Sequence, residues 1–237
     1  MRSRSLILIL LFLAACIFAL PPALSDPTDA AGWYATGQSL TSAGNFSAGA
    51  AAYKQAIALD PNNAEAWNGL ADVLNRAYKY TADPLATLDL ALEASNTSLA
   101  LNASSPSAWI NHGYILYNIG YYYQDQLKDQ ATANVYYTEQ LDSFNKAISV
   151  DPNNAEAWFN KGYALCGMGR CTEGVAAFQQ VESLDPSYPY LQLNLAQAEK
   201  LAADETPFYV KYASEIVMAA IAIVAAAFWY IAVRKKY

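Results

Sequence analysis

The 237-residue chain has one histidine, three cysteines and few basic residues, with 14 Lys and Arg against 21 Asp and Glu. A single imidazole cannot build a His-rich metal centre, so His112 reads as a packed side chain rather than a ligand. A net charge of −7 excludes nucleic acid as a partner, because that affinity rests on cations neutralising phosphates. No phosphate-cradling loop, nucleophile elbow or paired-carboxylate motif occurs, so neither an enzyme activity nor a cofactor is expected. Cys166 and Cys171 are spaced C-x₄-C, which is neither the redox C-x-x-C nor a zinc pattern.

Apolar and aromatic residues are plentiful, at 54% hydrophobic with 18 Tyr and 5 Trp, and two long apolar runs lie near the ends. Leu6 to Leu20 follows Arg2 and Arg4, stops at Pro21-Pro22, and leads to Ala23-Leu24-Ser25. That pattern predicts a secretory signal over residues 1–25, cleaved before Asp26; the run is shorter than the roughly 20 residues a spanning helix needs. Leu13-Ala14-Ala15-Cys16 has the look of a lipoprotein signal, but Ile17 to Leu20 continue apolar where such a signal would turn polar. At the other end, Ile216 to Val233 is apolar throughout, carries Trp229 and Tyr230, and is followed by Arg234-Lys235-Lys236. This predicts a transmembrane helix over 213–233 after a linker 204–212, with residues 234–237 cytoplasmic. The expected location is a prokaryotic cell membrane crossed once, with the middle of the chain outside the cytoplasm. Residues 26–212 hold 9 Lys and Arg against 20 Asp and Glu, a net −11. So acidic a surface serves solubility and favours cationic or neutral partners.

The middle repeats. Asp60-Pro61-Asn62-Asn63-Ala64-Glu65-Ala66-Trp67 recurs letter for letter at 151–158, with looser copies at Asn102 to Trp109 and at Asp185-Pro186. Trp33, Trp67, Trp109 and Trp158 are separated by 34, 42 and 49 residues. The first unit carries Gly37, Leu40, Gly44, Phe46, Tyr53, Ala56 and Pro61, and the last carries Gly162, Leu165, Gly169, Phe178 and Pro186. Apolar residues at three- and four-residue steps make amphipathic helices. Gly37 and Gly162 allow close helix approach, Gly44 and Gly169 end a first helix, and Asp-Pro stops the second. On these positions residues 30–203 resemble the tetratricopeptide repeat family.

The resemblance implies an all-α, right-handed α-solenoid of helix pairs at about 30–63, 64–105, 106–154 and 155–188, with a capping helix at 189–203. The second and third units exceed 34 residues by 8 and 15, close to two and four helical turns of 3.6 residues. Whole-turn insertions keep the apolar stripe in phase, which predicts lengthened helices in both units. In the third, helices of roughly 20 residues flank a break near Asp129 to Thr132. In the second, Asp83-Pro84 forms the turn before Leu85 to Leu101, with Ser95 where other units have an aromatic ring and Ser98 where they have Ala. Trp158 is expected to be buried.

Tetratricopeptide arrays bind other proteins or peptides in a concave groove lined by the first helix of each pair. One, five and eight residues after each tryptophan, that groove reads Tyr34, Gln38, Thr41; Asn68, Asp72, Asn75; Ile110, Tyr114, Tyr117; and Phe159, Tyr163, Cys166. No Lys or Arg stands there, so the carboxylate grip of the chaperone-binding members is not implied. Tyr114, Tyr117, Phe159 and Tyr163 are expected to form one continuous aromatic patch. Outside the cytoplasm Cys166 and Cys171 could form a disulfide across a helix turn, and Asn45, Asn96 and Asn102 begin N-x-S/T sequons. The expected function is a membrane-anchored interaction scaffold. The alternative is a structural subunit of an envelope complex that docks through its long third hairpin.

Overall fold

Residues 27–205 are described by a computed structural model. They form nine α-helices: α1 Ala30–Ser42, α2 Phe46–Leu59, α3 Ala64–Ala77, α4 Pro84–Leu101, α5 Pro106–Asp125, α6 Gln130–Val150, α7 Ala155–Gly167, α8 Cys171–Leu184 and α9 Leu191–Glu205. Consecutive helices pair as hairpins, and each pair touches only the next pair along the array. The expected signal (1–25) and membrane span (213–233) lie outside the described residues. Among the described residues no helix is long and apolar enough to cross a membrane.

The repeated Asp-Pro-Asn-Asn text has a local physical role. The main-chain N–H of Asp60 closes the last turn of α2 on Ala56, and the Asp60 carboxylate accepts from the N–H of Asn62. The Asn63 side chain then caps α3 by accepting from the N–H of Ala66 at 2.9 Å. The second copy repeats the Asp151, Asn153, Asn154 and Ala157 bonds. The degenerate copy keeps the geometry with other letters, Asn102 serving as the Asp and Ser105 as the cap. Such a cap is worth about 1 kcal/mol.

Each tryptophan after such a turn seals it. The indole N–H donates to a carbonyl six residues back: Trp67 to Pro61 at 2.9 Å, Trp109 to Ala103 at 2.8 Å and Trp158 to Pro152 at 2.8 Å. Trp158 is therefore half-buried at a junction, not enclosed in the core as its aromaticity alone suggests. Trp158→Phe keeps the ring and deletes the bond, and is expected to cost about 1 kcal/mol in urea unfolding. No measurable loss would show the bond to be immaterial.

The enclosed rings come instead from the second helices. Tyr53, Phe144 and Phe178 are 4%, 1% and 1% exposed. Each lies on glycine: Tyr53 between Gly37 and Gly69, Phe144 on Gly113, Phe178 on Gly162. A methyl group at Gly113 would sit 2.5 Å from the Phe144 ring, so glycine there is a requirement of packing. The second unit departs from this scheme. Ser95 occupies the ring position, fully buried, and the His112 ring of the next pair enters instead, with Nδ1 3.0 Å from the Ser95 hydroxyl. Ser98 donates to the carbonyl of Ala64 at 2.8 Å, so both serines are satisfied.

The long units take their extra residues differently. In the third pair α5 has 20 residues and α6 has 21, seven more per helix than α7 with 13 and α8 with 14. At 1.5 Å per residue the hairpin overhangs the fourth pair by about 10 Å. Its turn is 126–129, slightly before the expected break. Asp129 caps α6 by accepting from both the N–H and the hydroxyl of Thr132. The second unit does not lengthen both helices. α3 has 14 residues, and the excess falls in α4, with 18, and in the connection 78–83. There Tyr78 is buried in a 3₁₀ turn (Tyr78–Tyr80), Thr81 donates to the Tyr78 carbonyl, and Pro84 starts α4 without needing an N–H partner.

Candidate functional site

The first helices α1, α3, α5, α7 and the cap α9 touch one another side by side and form one face of the array. Their mutual register is held by amides. Asn111 of α5 donates to both the side-chain and main-chain oxygens of Asn68 in α3, at 2.9 and 3.2 Å. Two turns on, Asn118 donates to Asn75 at 2.8 Å. Between α5 and α7 the Tyr114 hydroxyl donates to Asn160 at 3.0 Å. Asn75, Asn111 and Asn160 are all less than a tenth exposed. Asn75 and Asn111, paired in this way, fix register because a slip would leave them unsatisfied, while Asn160 is held through its Oδ1 alone and its buried Nδ2 has no hydrogen-bond partner among the described residues. Asn111, Asn118 and Asn160 fall one position outside the spacing used to read the groove. Asn recurs two residues after Trp109 and Trp158, which was the available signal.

The residues expected in the groove divide into three groups. Tyr34 and Asn68 border a small polar cleft of about 160 Å³ with Glu65, Ser98 and Ser105. Gln38 donates to the Tyr34 hydroxyl, and Asp72 pairs with Arg76 at 2.9 Å on the surface. Thr41, Asn75 and Ile110 are buried; Ile110 packs with Phe144 and Leu165 and presents nothing to a partner. The four aromatics differ in what they touch. Phe159 turns toward Phe178 and Tyr188, with ring centroids 5.4 and 4.9 Å away. Tyr114 sets its ring edge-on to Phe144 and its hydroxyl on Asn160 and Glu156. Burial, with Glu156 close by, pushes the Tyr114 hydroxyl up to about 12, so it remains a donor. Tyr114 thus joins α5 to α7 and is not a purely exposed contact.

Tyr117 and Tyr163 do converge, on a cavity of about 420 Å³. Its walls are Tyr117, Tyr121 and Gln124 of α5; Tyr137 and Gln140 of α6; Tyr163, Ala164 and Cys166 of α7; Met168 beyond it; Phe178 of α8; and Asn194, Gln197, Ala198 and Leu201 of α9. The overhang of the third pair creates it. Counted from Trp109 and Trp158, Tyr117 is level with Cys166 near the end of α7, and Tyr121 and Gln124 stand on turns of α5 that run past that end at Gly167. Tyr117 packs on Tyr121 and Tyr137, and the Tyr137 hydroxyl donates to Gln124 at 2.6 Å. Burial among these rings raises the hydroxyls of Tyr117 and Tyr137 above their usual range. Tyr121, Tyr163 and Leu201 remain 44%, 54% and 39% exposed at the mouth. Among the described residues no charged side chain lines this cavity. Its residues from α6 and α9 were not readable from the tryptophan spacing.

Cys166 borders the cavity and its sulfur lies over Gly174; Cys171 is buried at the first position of α8. The structure carries both as thiols. Asn45, Asn96 and Asn102 are exposed. Among the described residues no group of three or more His, Cys, Asp or Glu could hold a metal ion.

Family models described as tetratricopeptide repeat match residues 34–99 and 143–173. No curated protein matches the chain in sequence. Solved structures do match in fold. A thermophilic TPR protein of Thermus thermophilus is 19% identical with a TM-score of 0.57, covering 71% of this chain and 80% of its own. PilF of Pseudomonas aeruginosa is 19% identical at 0.53, over 71% and 67%. MamA of Desulfovibrio magneticus RS-1 is 17% identical at 0.51, over 68% and 78%. Residues 27–205 are an all-α solenoid of helix pairs with the tetratricopeptide fold, and the tetratricopeptide repeat itself is matched over residues 34–99 and 143–173.

Proposed function

We propose that the protein is a membrane-anchored interaction scaffold that presents the α5–α7–α9 face to partner proteins or peptides outside the cytoplasm. One observation carries the binding part: exposed Tyr121, Tyr163 and Leu201 meet at the mouth of a preformed cavity. Clustered exposed apolar side chains rimmed by amides are the usual mark of a contact surface. The anchoring part rests on the sequence, on the run Ile216 to Val233 and its basic flank.

Tyr163 is the clean probe, since it is more than half exposed and the Tyr114 hydroxyl bonds are not its own. Crosslinking in intact cells, followed by mass spectrometry, would identify the partner. Tyr163→Ala should then weaken its capture by about 1–3 kcal/mol with little change in melting. Capture at the wild-type level would remove the cavity from the binding surface. For the anchor, protease added to intact cells should digest residues 26–212 and leave an epitope at Tyr237 shielded. Protection of the repeats would overturn the topology. In that compartment we also expect Cys166 and Cys171 to oxidise together, read as the loss of two hydrogens in the intact mass without reductant, and the sequons to be open to glycosylation in a host with the machinery. An intact mass that holds both hydrogens would exclude the disulfide, and one without added sugar would exclude the glycans.

The assembly-subunit reading draws on a different place. Leu127 and Val135, at the tip of the α5–α6 hairpin, are 50% and 56% exposed. A dedicated neighbour seated there would co-purify in fixed stoichiometry, whereas a scaffold comes out alone.

A further inference from the structure

Gln140 is a large amide at a place where other pairs of the array have glycine. Gly49 and Gly174 stand four residues before the enclosed rings of Tyr53 and Phe178 in the first and fourth pairs. A Cβ at Gly49 would lie 2.7 Å from Thr41 Oγ1, and one at Gly174 2.7 Å from Cys166 Sγ, so those pairs close on glycine. The third pair has Gln140 four residues before Phe144, and Tyr117 at the place of Thr41 and Cys166. Both of these larger side chains line the cavity. The other amides of its wall are accounted for. Gln124 accepts from Tyr137, Asn194 donates to the Tyr190 carbonyl, and Gln197 is exposed to solvent. Gln140 is only 5% exposed, and among the described residues its amide has no hydrogen-bond partner. Unlike the Asn160 Nδ2, its polar atoms are not sealed off, and they open on the cavity. An enclosed amide left unpaired is costly, and a ligand that pairs with it removes that cost.

We propose that the cavity receives one tyrosine side chain of a partner peptide, with the phenol hydroxyl on the Gln140 amide. This deepens, and rests on, the reading of this face as a partner surface. Three observations select tyrosine. Tyr117, Tyr121, Tyr137 and Tyr163 offer ring faces and edges, against which a flat aromatic side chain packs better than an aliphatic one. The Gln140 amide presents both a donor and an acceptor. A phenol hydroxyl answers both, an indole N–H only the acceptor, and a phenyl ring neither. Among the described residues no charged side chain lines the cavity, so a phosphotyrosine or a carboxylate would be dehydrated there without a cation to face. The volume of about 420 Å³ is at the low end for ligand sites, suited to one side chain with its adjoining main chain rather than to a helix.

The test titrates the full chain, in detergent micelles with reductant, with blocked tripeptides of the form acetyl-Gly-Xaa-Gly-amide, read by saturation-transfer NMR against empty micelles. The tyrosine peptide should bind, the phenylalanine peptide about ten-fold more weakly, and the phosphotyrosine peptide not at all. Gln140→Met keeps the volume and deletes the amide. It should leave the affinity for the phenylalanine peptide unchanged and abolish the preference for tyrosine. Should that variant not fold, the wild-type ratio of the two peptides decides alone. Equal binding of the tyrosine and phenylalanine peptides by the wild type, binding of the phosphotyrosine peptide, or a preference that survives Gln140→Met overturns the proposal. So does binding of maltose, a neutral ring with hydroxyls all round its edge, where the tyrosine peptide fails to bind. If Tyr163→Ala weakens partner capture while the peptides show no preference, the partner surface stands and tyrosine is the wrong occupant. If the tyrosine preference holds while Tyr163→Ala leaves capture intact, the cavity binds the ring but is not the partner surface.

Discussion

Phe144→Ala is expected to destabilise the array by about 3–5 kcal/mol, measured by urea or thermal unfolding. The ring is 1% exposed and sits with Ile110, Leu141 and Leu165 at the centre of the third pair. Truncation would empty the space above Gly113, and the main-chain glycine cannot move in to fill it. It would also remove the edge on which Tyr114 rests, and with it part of the α5–α7 contact. Stability in a repeat array is carried by nearest-neighbour interfaces. Hydrogen exchange should therefore accelerate most in α5, α6 and α7 and least in α1 and α2. The ring-on-glycine account has a second consequence. Gly113→Leu in the Phe144→Ala background should recover part of the loss, because the new side chain grows into the vacated volume. In the wild-type background the same substitution should be strongly destabilising. A cost below about 1 kcal/mol for Phe144→Ala, or a double variant worse than the single, would defeat it.

The first and fourth repeats and the hairpin of the third were legible in the sequence because their signals are local. Asp-Pro, glycine at the turn and a capping Asn each act on the backbone within a few residues. Gly44 and Gly169 do adopt left-handed φ values of 77° and 74°, as a helix-ending glycine should. Counting whole turns worked for the third unit because nothing inside it interrupts helix. It misled in the second, where buried Tyr78 pins a 3₁₀ turn and Pro84 resets the chain. The face was harder to read. A fixed offset from tryptophan marks which residues point toward the groove side, but whether a side chain there is exposed depends on what the neighbouring repeat brings. Ile110 is buried because Phe144 and Leu165 pack against it, and Phe159 is engaged because Tyr188 comes down from the last connection. The cavity itself arises from a length mismatch between pairs, with walls contributed by four hairpin helices and the cap. No periodicity within one repeat can report that.

The second large effect is on acid stability. His112 stands where the second unit lacks its ring, against Ser95 and edge-on to Trp109 at 6.1 Å. Burial lowers its pKa from 6.5 to about 4, and no neighbouring charge contributes to the shift. The folded array therefore holds a neutral imidazole where the unfolded chain would hold a proton. Stability from this group is complete above pH 6.5 and is lost as pH falls from 6.5 to about 4, because the unfolded state binds the extra proton across that window. The full shift corresponds to about 3 kcal/mol, and partial exposure of the ring reduces this to on the order of 2 kcal/mol. Carboxylates titrate in the lower part of the same window, so the comparison must be with a variant that keeps them all. His112→Gln retains an amide that can reach the Ser95 hydroxyl and has no proton to gain. Its unfolding free energy should lie below that of the wild type at pH 7.5, through lost packing, and the two should converge by pH 4. Profiles that run parallel across that range would mean that the imidazole is already solvated, and that the ring fills the Ser95 gap by shape alone.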